Sequence, residues 1–125
     1  MADYLLDTRL GRLVGDRLLA DPDLHIPHLA SIETASVIRG WVRGGRLDES
    51  AAVQALDHLS DLAAERHNHE PFLRRVWELR HNLTAYDALY VALAETLDAP
   101  LITCDARLAR APVAGVTVEV VGLSG

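Results

Sequence analysis

The chain has 125 residues, half of them apolar, with 18 acids against 12 bases and a net charge of −6. This is enough chain for one domain with one modest core, expected to span residues 1–125, and its apolar share excludes a disordered polymer. Its acidity argues against holding duplex DNA by wholesale phosphate neutralisation. The single Cys104 excludes an internal disulfide framework and fits a reducing, cytoplasmic compartment. No run nears the ~18 apolar residues of a membrane span, and the opening MADYLLDTRL lacks an export signal's basic start.

In chain order, Leu6, Leu10, Leu13, Val14 and Leu18 recur at three or four residues and predict a helix over Asp3 to Ala20. Asp21-Pro22-Asp23 ends it, and Leu24 to Pro27 reads as a short strand. A second helix is expected from Leu29 to Val42, with Leu29, Ile32, Ser36, Val37 and Gly40 on one side and Gly44-Gly45 as its stop. Asp48 is the expected N-cap of a third helix through Leu62. Glu65 to His69 reads as an extended edge, and Pro71 opens a fourth helix carrying Phe72, Val76 and Leu79. Thr84 caps a fifth, which ends before Pro100. Leu101 to Cys104 is a compact strand ending at Asp105, Ala106 to Ala111 a short helix, and Val116 to Val121 a final strand. Helices alternating with short strands predict an α/β layer fold with a mainly parallel sheet.

Three acids stand out by position. Glu33 lies four residues after Leu29 and four before Val37, on the apolar stripe of its helix, where a carboxylate needs a partner. Asp87 sits in the first turn of an apolar helix, and Asp105 closes an apolar strand. In parallel α/β sheets, strand C-termini and following helix N-termini share one edge, and ligands bind there. Grouped carboxylates repel one another, and a hard divalent cation such as Mg²⁺ or Mn²⁺ relieves that repulsion. Each acid also has a plainer reading. Asp87 would serve the helix dipole, Asp105 would cap the helix after it, and Glu33 would pair with an arginine.

The stretch NLTAYDALYVALAETLDAPLITCDARLAR resembles the C-terminal signature of PIN-domain ribonucleases, specifically the VapC-type toxins of toxin–antitoxin pairs. Its elements are Thr84-x-x-Asp87, the apolar helix after it, and Thr103-Cys104-Asp105 closing a strand. PHLASIETASVIRGWVRGGRLD resembles the family's middle block, with Glu33 matching its helix glutamate. The resemblance implies a PIN-like three-layer fold and metal-dependent cleavage of RNA phosphodiesters. Glu33, Asp87 and Asp105 would hold Mg²⁺ or Mn²⁺, with the Thr103 hydroxyl behind them. It also implies homodimerisation and inhibition by a cognate VapB-type antitoxin.

One departure shapes the expectation. The family opens with a central apolar strand ending in an aspartate, and Met1 to Leu6 aligns best with the helix after it. Asp3 and Asp7 read as solvated or capping acids. The chain is therefore expected to lack the first strand and its metal-binding aspartate, with weakened metal affinity and little nuclease activity. The alternative function is a catalytically impaired PIN-like module that binds an antitoxin or itself. A third reading is an unrelated α/β binding protein.

Other residues carry weaker signals. Arg39, Arg43, Arg46, Arg74, Arg75 and Arg80 read mainly as solvated, while Arg107 and Arg110, beside Asp105, are better phosphate contacts. His67 and His69 alternate, but no further ligand has zinc-site spacing, so a structural zinc is not expected. Trp41 and Trp77 are expected in the core or an interface, and Cys104 as a buried strand thiol.

Overall fold

The computed structural model describes residues 4–6, 24–103, 105–110 and 115–120. Among them, five strands form one sheet: β1 (Tyr4–Leu6), β2 (Leu24–Pro27), β3 (Ala64–His67), β4 (Leu101–Thr103) and β5 (Val118–Val120). The helices are α1 (Leu29–Arg43), α2 (Glu49–Asp61), α3 (Leu73–Glu78), α4 (Ala85–Leu97) and α5 (Ala106–Arg110). A 3₁₀ turn, Glu70–Phe72, precedes α3 and holds Pro71 in its opening turn, so Pro71 starts a tighter turn rather than the α-helix itself.

The sheet is parallel throughout, in the order β3-β2-β1-β4-β5. This corrects the expectation of a missing first strand. Tyr4–Leu6 is a strand at the centre of the sheet, with Tyr4 beside Leu24 on one side and Leu5 beside Leu101 on the other. The physical reason is plain. Three apolar residues contain no period, so Tyr4-Leu5-Leu6 could be assigned to the leucine spacing that follows it. The rest of the expected Asp3–Ala20 helix, residues 7–20, lies outside the described residues, as do Cys104, Ala111 and Val121.

The core is built on α4. Every residue from Ala88 to Ala94 is buried, so the helix is apolar all round, as a helix inside a layered fold must be. Tyr90, Leu93 and Ala94 pack with Leu24 and Ile26 of β2, Leu101 and Ile102 of β4, Ala30, Leu62 and Leu108. Both ends of α4 follow from local chemistry. The Thr84 hydroxyl accepts the Asp87 amide at 3.2 Å, and Asp98 closes the helix in the left-handed region at φ 49°. Likewise Asp48 Oδ1 accepts the Ala51 amide at 2.7 Å and starts α2. Helix α1 stops where Gly45 turns to φ +74°, a conformation that glycine adopts without strain.

The inward face of α1 differs from expectation. Ala30 and Ile38 are buried, whereas Ile32 is 70% exposed and Ser36 and Gly40 face solvent. A 15-residue helix with apolar residues at many positions supports more than one stripe, and packing against the sheet selects one of them.

Candidate functional site

The sheet order creates the site's location. From β1 the chain steps outward to β2 and β3, then returns across the sheet to β4 and β5. The direction of winding reverses between β1 and β4, and the crevice at the carboxyl ends of these strands is where open parallel sheets bind ligands. Asp105 follows β4 there by two residues, and Asp87 lies in the first turn of α4. Glu33 stands one turn into α1, the helix that follows the carboxyl end of β2. In sequence, Asp7 is the residue directly after the last residue of β1. Its own placement lies outside the described residues.

Side-chain contacts tie these acids to the frame. The Tyr90 hydroxyl, on a residue with no exposed surface, donates to Glu33 Oε1 at 3.3 Å. This bond joins α1 to α4, and Tyr90 is one turn beyond Asp87. One partner of Glu33 is thus a phenol. Thr103 is buried, and its hydroxyl accepts the Asp105 amide at 3.0 Å. That bond fixes the turn leaving β4. Thr103 therefore sets the backbone under Asp105.

Asp105 is engaged from the other direction by Arg107. The Arg107 amide donates to Oδ1 at 2.9 Å, Nε donates to Oδ1 at 3.0 Å, and Nη2 donates to Oδ2 at 2.8 Å. The Arg107 side chain is 82% exposed and that of Asp105 14%. A planar fork thus closes over a mostly covered carboxylate from the solvent side. Glu33, Asp87 and Asp105 do not by themselves have oxygens all within 4.8 Å of one another. As donors they are all carboxylate oxygens, the set that suits Mg²⁺ or Mn²⁺.

The arginines separate into different roles. Arg39, Arg43, Arg46, Arg74 and Arg110 are exposed. Arg75 is structural, with Nε and Nη2 each 2.8 Å from a Glu95 oxygen and Nη1 3.3 Å from Glu78. These carboxylates, Glu95 foremost, hold its guanidinium above the usual arginine range. Arg80 lies 4.2 Å over the Trp77 ring. Trp77 is 66% exposed, so it is not a core residue; Trp41 is half-buried.

Sequence spacing missed one further cluster. His25 Nδ1 and His67 Nε2 are 2.8 Å apart, and Glu65 Oε2 is 3.6 Å from His25 Nδ1. Burial lowers the His67 pKa, Glu65 opposes that shift, and the His25 and His28 charges add to it. His25 and His67 are 42 residues apart. The strand register joins them, and spacing along the chain gives no hint of it.

Comparison with known proteins gives one consistent result. Residues 3–114 match the PIN domain family, a span that includes β1. The chain is 43% identical over 113 residues to ribonuclease VapC1 of Mycobacterium tuberculosis, covering 90% of this chain and 85% of that protein. It is 33% identical over 119 residues to ribonuclease VapC12 of the same species, covering 95% and 92%. Among solved structures, PAE2754 from Pyrobaculum aerophilum superimposes with a TM-score of 0.71 at 28% identity, over 95% of this chain and 84% of that one. A toxin–antitoxin complex from Klebsiella pneumoniae shares the fold, with a TM-score of 0.57 at 18% identity, over 93% and 96%.

Proposed function

This chain belongs to the PIN-domain family, alongside the VapC ribonucleases, and from that premise we propose that it is a metal-dependent endoribonuclease toxin. Its substrate is RNA, and its activity is held in check by a cognate VapB-type antitoxin. It acts in the cytoplasm as a single PIN-like domain. Glu33, Asp87 and Asp105 are the acids assigned to the metal, and Asp7 is assigned with them from its sequence position directly after the central strand. The observation that supports the reading is the reversal of the sheet's winding between β1 and β4, with Asp105 two residues beyond β4 and Asp7 directly after β1 in sequence. The expectation of a disabled binding module rested on a missing first strand and its aspartate, and β1 supplies the strand.

The chain's own residues divide the work. Tyr90 holds Glu33 toward α4, Thr84 sets the first turn that carries Asp87, and Thr103 sets the turn that carries Asp105. Each acid is thereby oriented by an element that is itself packed, as a preorganised site requires. Glu33, Asp87 and Asp105 would hold Mg²⁺ or Mn²⁺, which when bound would supply positive charge for the phosphate and a more acidic water. Arg107, exposed and forked, releases Asp105 and turns to an RNA phosphate. Exposed Ile32 on α1 and Val53 on α2 are apolar side chains that a second copy would cover. RNA cleavage measured with Mn²⁺, with and without chelator, tests the reading. Cleavage by the wild-type chain that stops on chelation is expected; equal cleavage with and without metal contradicts it.

A further inference from the structure

We propose that His25, Glu65 and His67 form a second metal site, for a d-block divalent cation with Zn²⁺ as the best fit, separate from the acidic crevice. In the parallel β2–β3 pair, His25 lies beside Glu65 and Pro27 beside His67. Residues two apart on a strand share a face, so His25, Glu65 and His67 stand on one face of these two strands. Leu24 and Ile26 alternate with them and enter the α4 core. The frame is stiff, because each strand is hydrogen-bonded and the His28 amide donates to the His67 carbonyl at 2.7 Å.

The distances fit one ion. Zinc–nitrogen bonds of about 2.0–2.1 Å in tetrahedral geometry separate neighbouring ligand atoms by about 3.3 Å. The observed separations, 2.8 Å between the imidazole nitrogens and 3.6 Å from His25 Nδ1 to Glu65 Oε2, bracket that value. All three ligand atoms lie within 4.8 Å of one another, and no other group of three His, Cys, Asp or Glu residues does so among the described residues. The donor set decides the ion. Two imidazoles and one carboxylate favour Zn²⁺, Ni²⁺ or Cu²⁺ over Mg²⁺. Access decides the open position. His25 is buried while the Glu65 side chain is 68% exposed, which leaves a solvent-facing side for water as a fourth ligand. The sheet order places β1 between this site and β4, the strand that leads to Asp105. The proposal therefore does not depend on the crevice being catalytic.

The test is calorimetric titration of Zn²⁺ into the tag-free full chain with Mg²⁺ in excess. Wild type is compared with His67→Gln, Glu65→Gln and Asp87→Asn. The expected result is one equivalent of Zn²⁺ in the wild type and in Asp87→Asn, weakened more than about 10-fold by His67→Gln, since a direct ligand exceeds the supporting groups in effect. Glu65→Gln changes an exposed side chain and keeps the fold, so it decides the matter should His67→Gln unfold; it too weakens binding. Visible Co²⁺ absorption should appear with the wild type and fade with either of these two variants. No stoichiometric Zn²⁺ binding, or binding lost in Asp87→Asn but unchanged in Glu65→Gln and His67→Gln, would overturn the proposal.

Discussion

The crevice beside β1 and β4 and the imidazole cluster on β2 and β3 lie on one sheet but are built in opposite ways. The crevice gathers acids from separate elements, each set by a helix start, a turn or a phenol. The outer cluster comes from two adjacent strands and is set by register alone. The donors proposed for the crevice are all carboxylate oxygens, a set that suits a hard cation. Imidazoles fixed on a strand pair give a small nitrogen-rich site, fit for a borderline ion. With both proposed sites occupied, one sheet would sort metals by donor chemistry rather than by charge.

The sharpest way to break this division is Asp87→Ala. RNA cleavage should fall about a hundredfold or more, the scale of several kcal/mol of lost metal assistance. Zn²⁺ binding on β2–β3 should not change. A cut in both would mean one metal site rather than two. Next in size is Tyr90→Phe, which removes the hydrogen bond to Glu33 and keeps the ring in the core. A loss of about 1 kcal/mol in that bond corresponds to roughly fivefold slower cleavage with helix content unchanged. Unaltered cleavage would detach Glu33 from the site.

Smaller effects sharpen the edges of the comparison. Arg107→Ala frees Asp105 from its fork and should tighten Mn²⁺ binding a few-fold in calorimetry while weakening RNA binding. Arg75→Ala should lower stability by only about 1 kcal/mol or less in thermal denaturation, since the pair with Glu95 is partly exposed, and should leave cleavage intact. The smallest effect is on pH dependence. His67 titrates below its unfolded value because burial disfavours its cation. Below the unfolded histidine pKa the unfolded chain binds more protons, so this residue destabilises the fold as pH falls toward the folded pKa. In metal-free buffer, His67→Gln should flatten that part of the stability–pH curve.

How much of this was legible in sequence depended on how local each signal was. The Thr84 cap, Asp87 in the first turn and the strand before Asp105 are local features within a long apolar block, and they appear where the spacing puts them. The Asp48 cap is equally local. Strand β1 was not legible. It has three residues, no period, and a leucine series beginning at Leu6 that mimics a helix; only pairing with β2 and β4 defines it. Glu33 was found as an acid on an apolar stripe, yet its partner, Tyr90, lies 57 residues away. The stripe itself does not bury Ile32, because packing and not periodicity selects the inward face. The imidazole pair was hidden for the same reason: its geometry belongs to the sheet.

Acids beside the central strand, Asp7 among them, are proposed to carry the chemistry. The most direct measurement is Mn²⁺-dependent RNA cleavage by the wild-type chain and by Asp7→Asn, with circular dichroism confirming equal folding. Metal-dependent cleavage by the wild type that falls about a hundredfold in Asp7→Asn is the predicted result. Equal cleavage by the two would contradict the account.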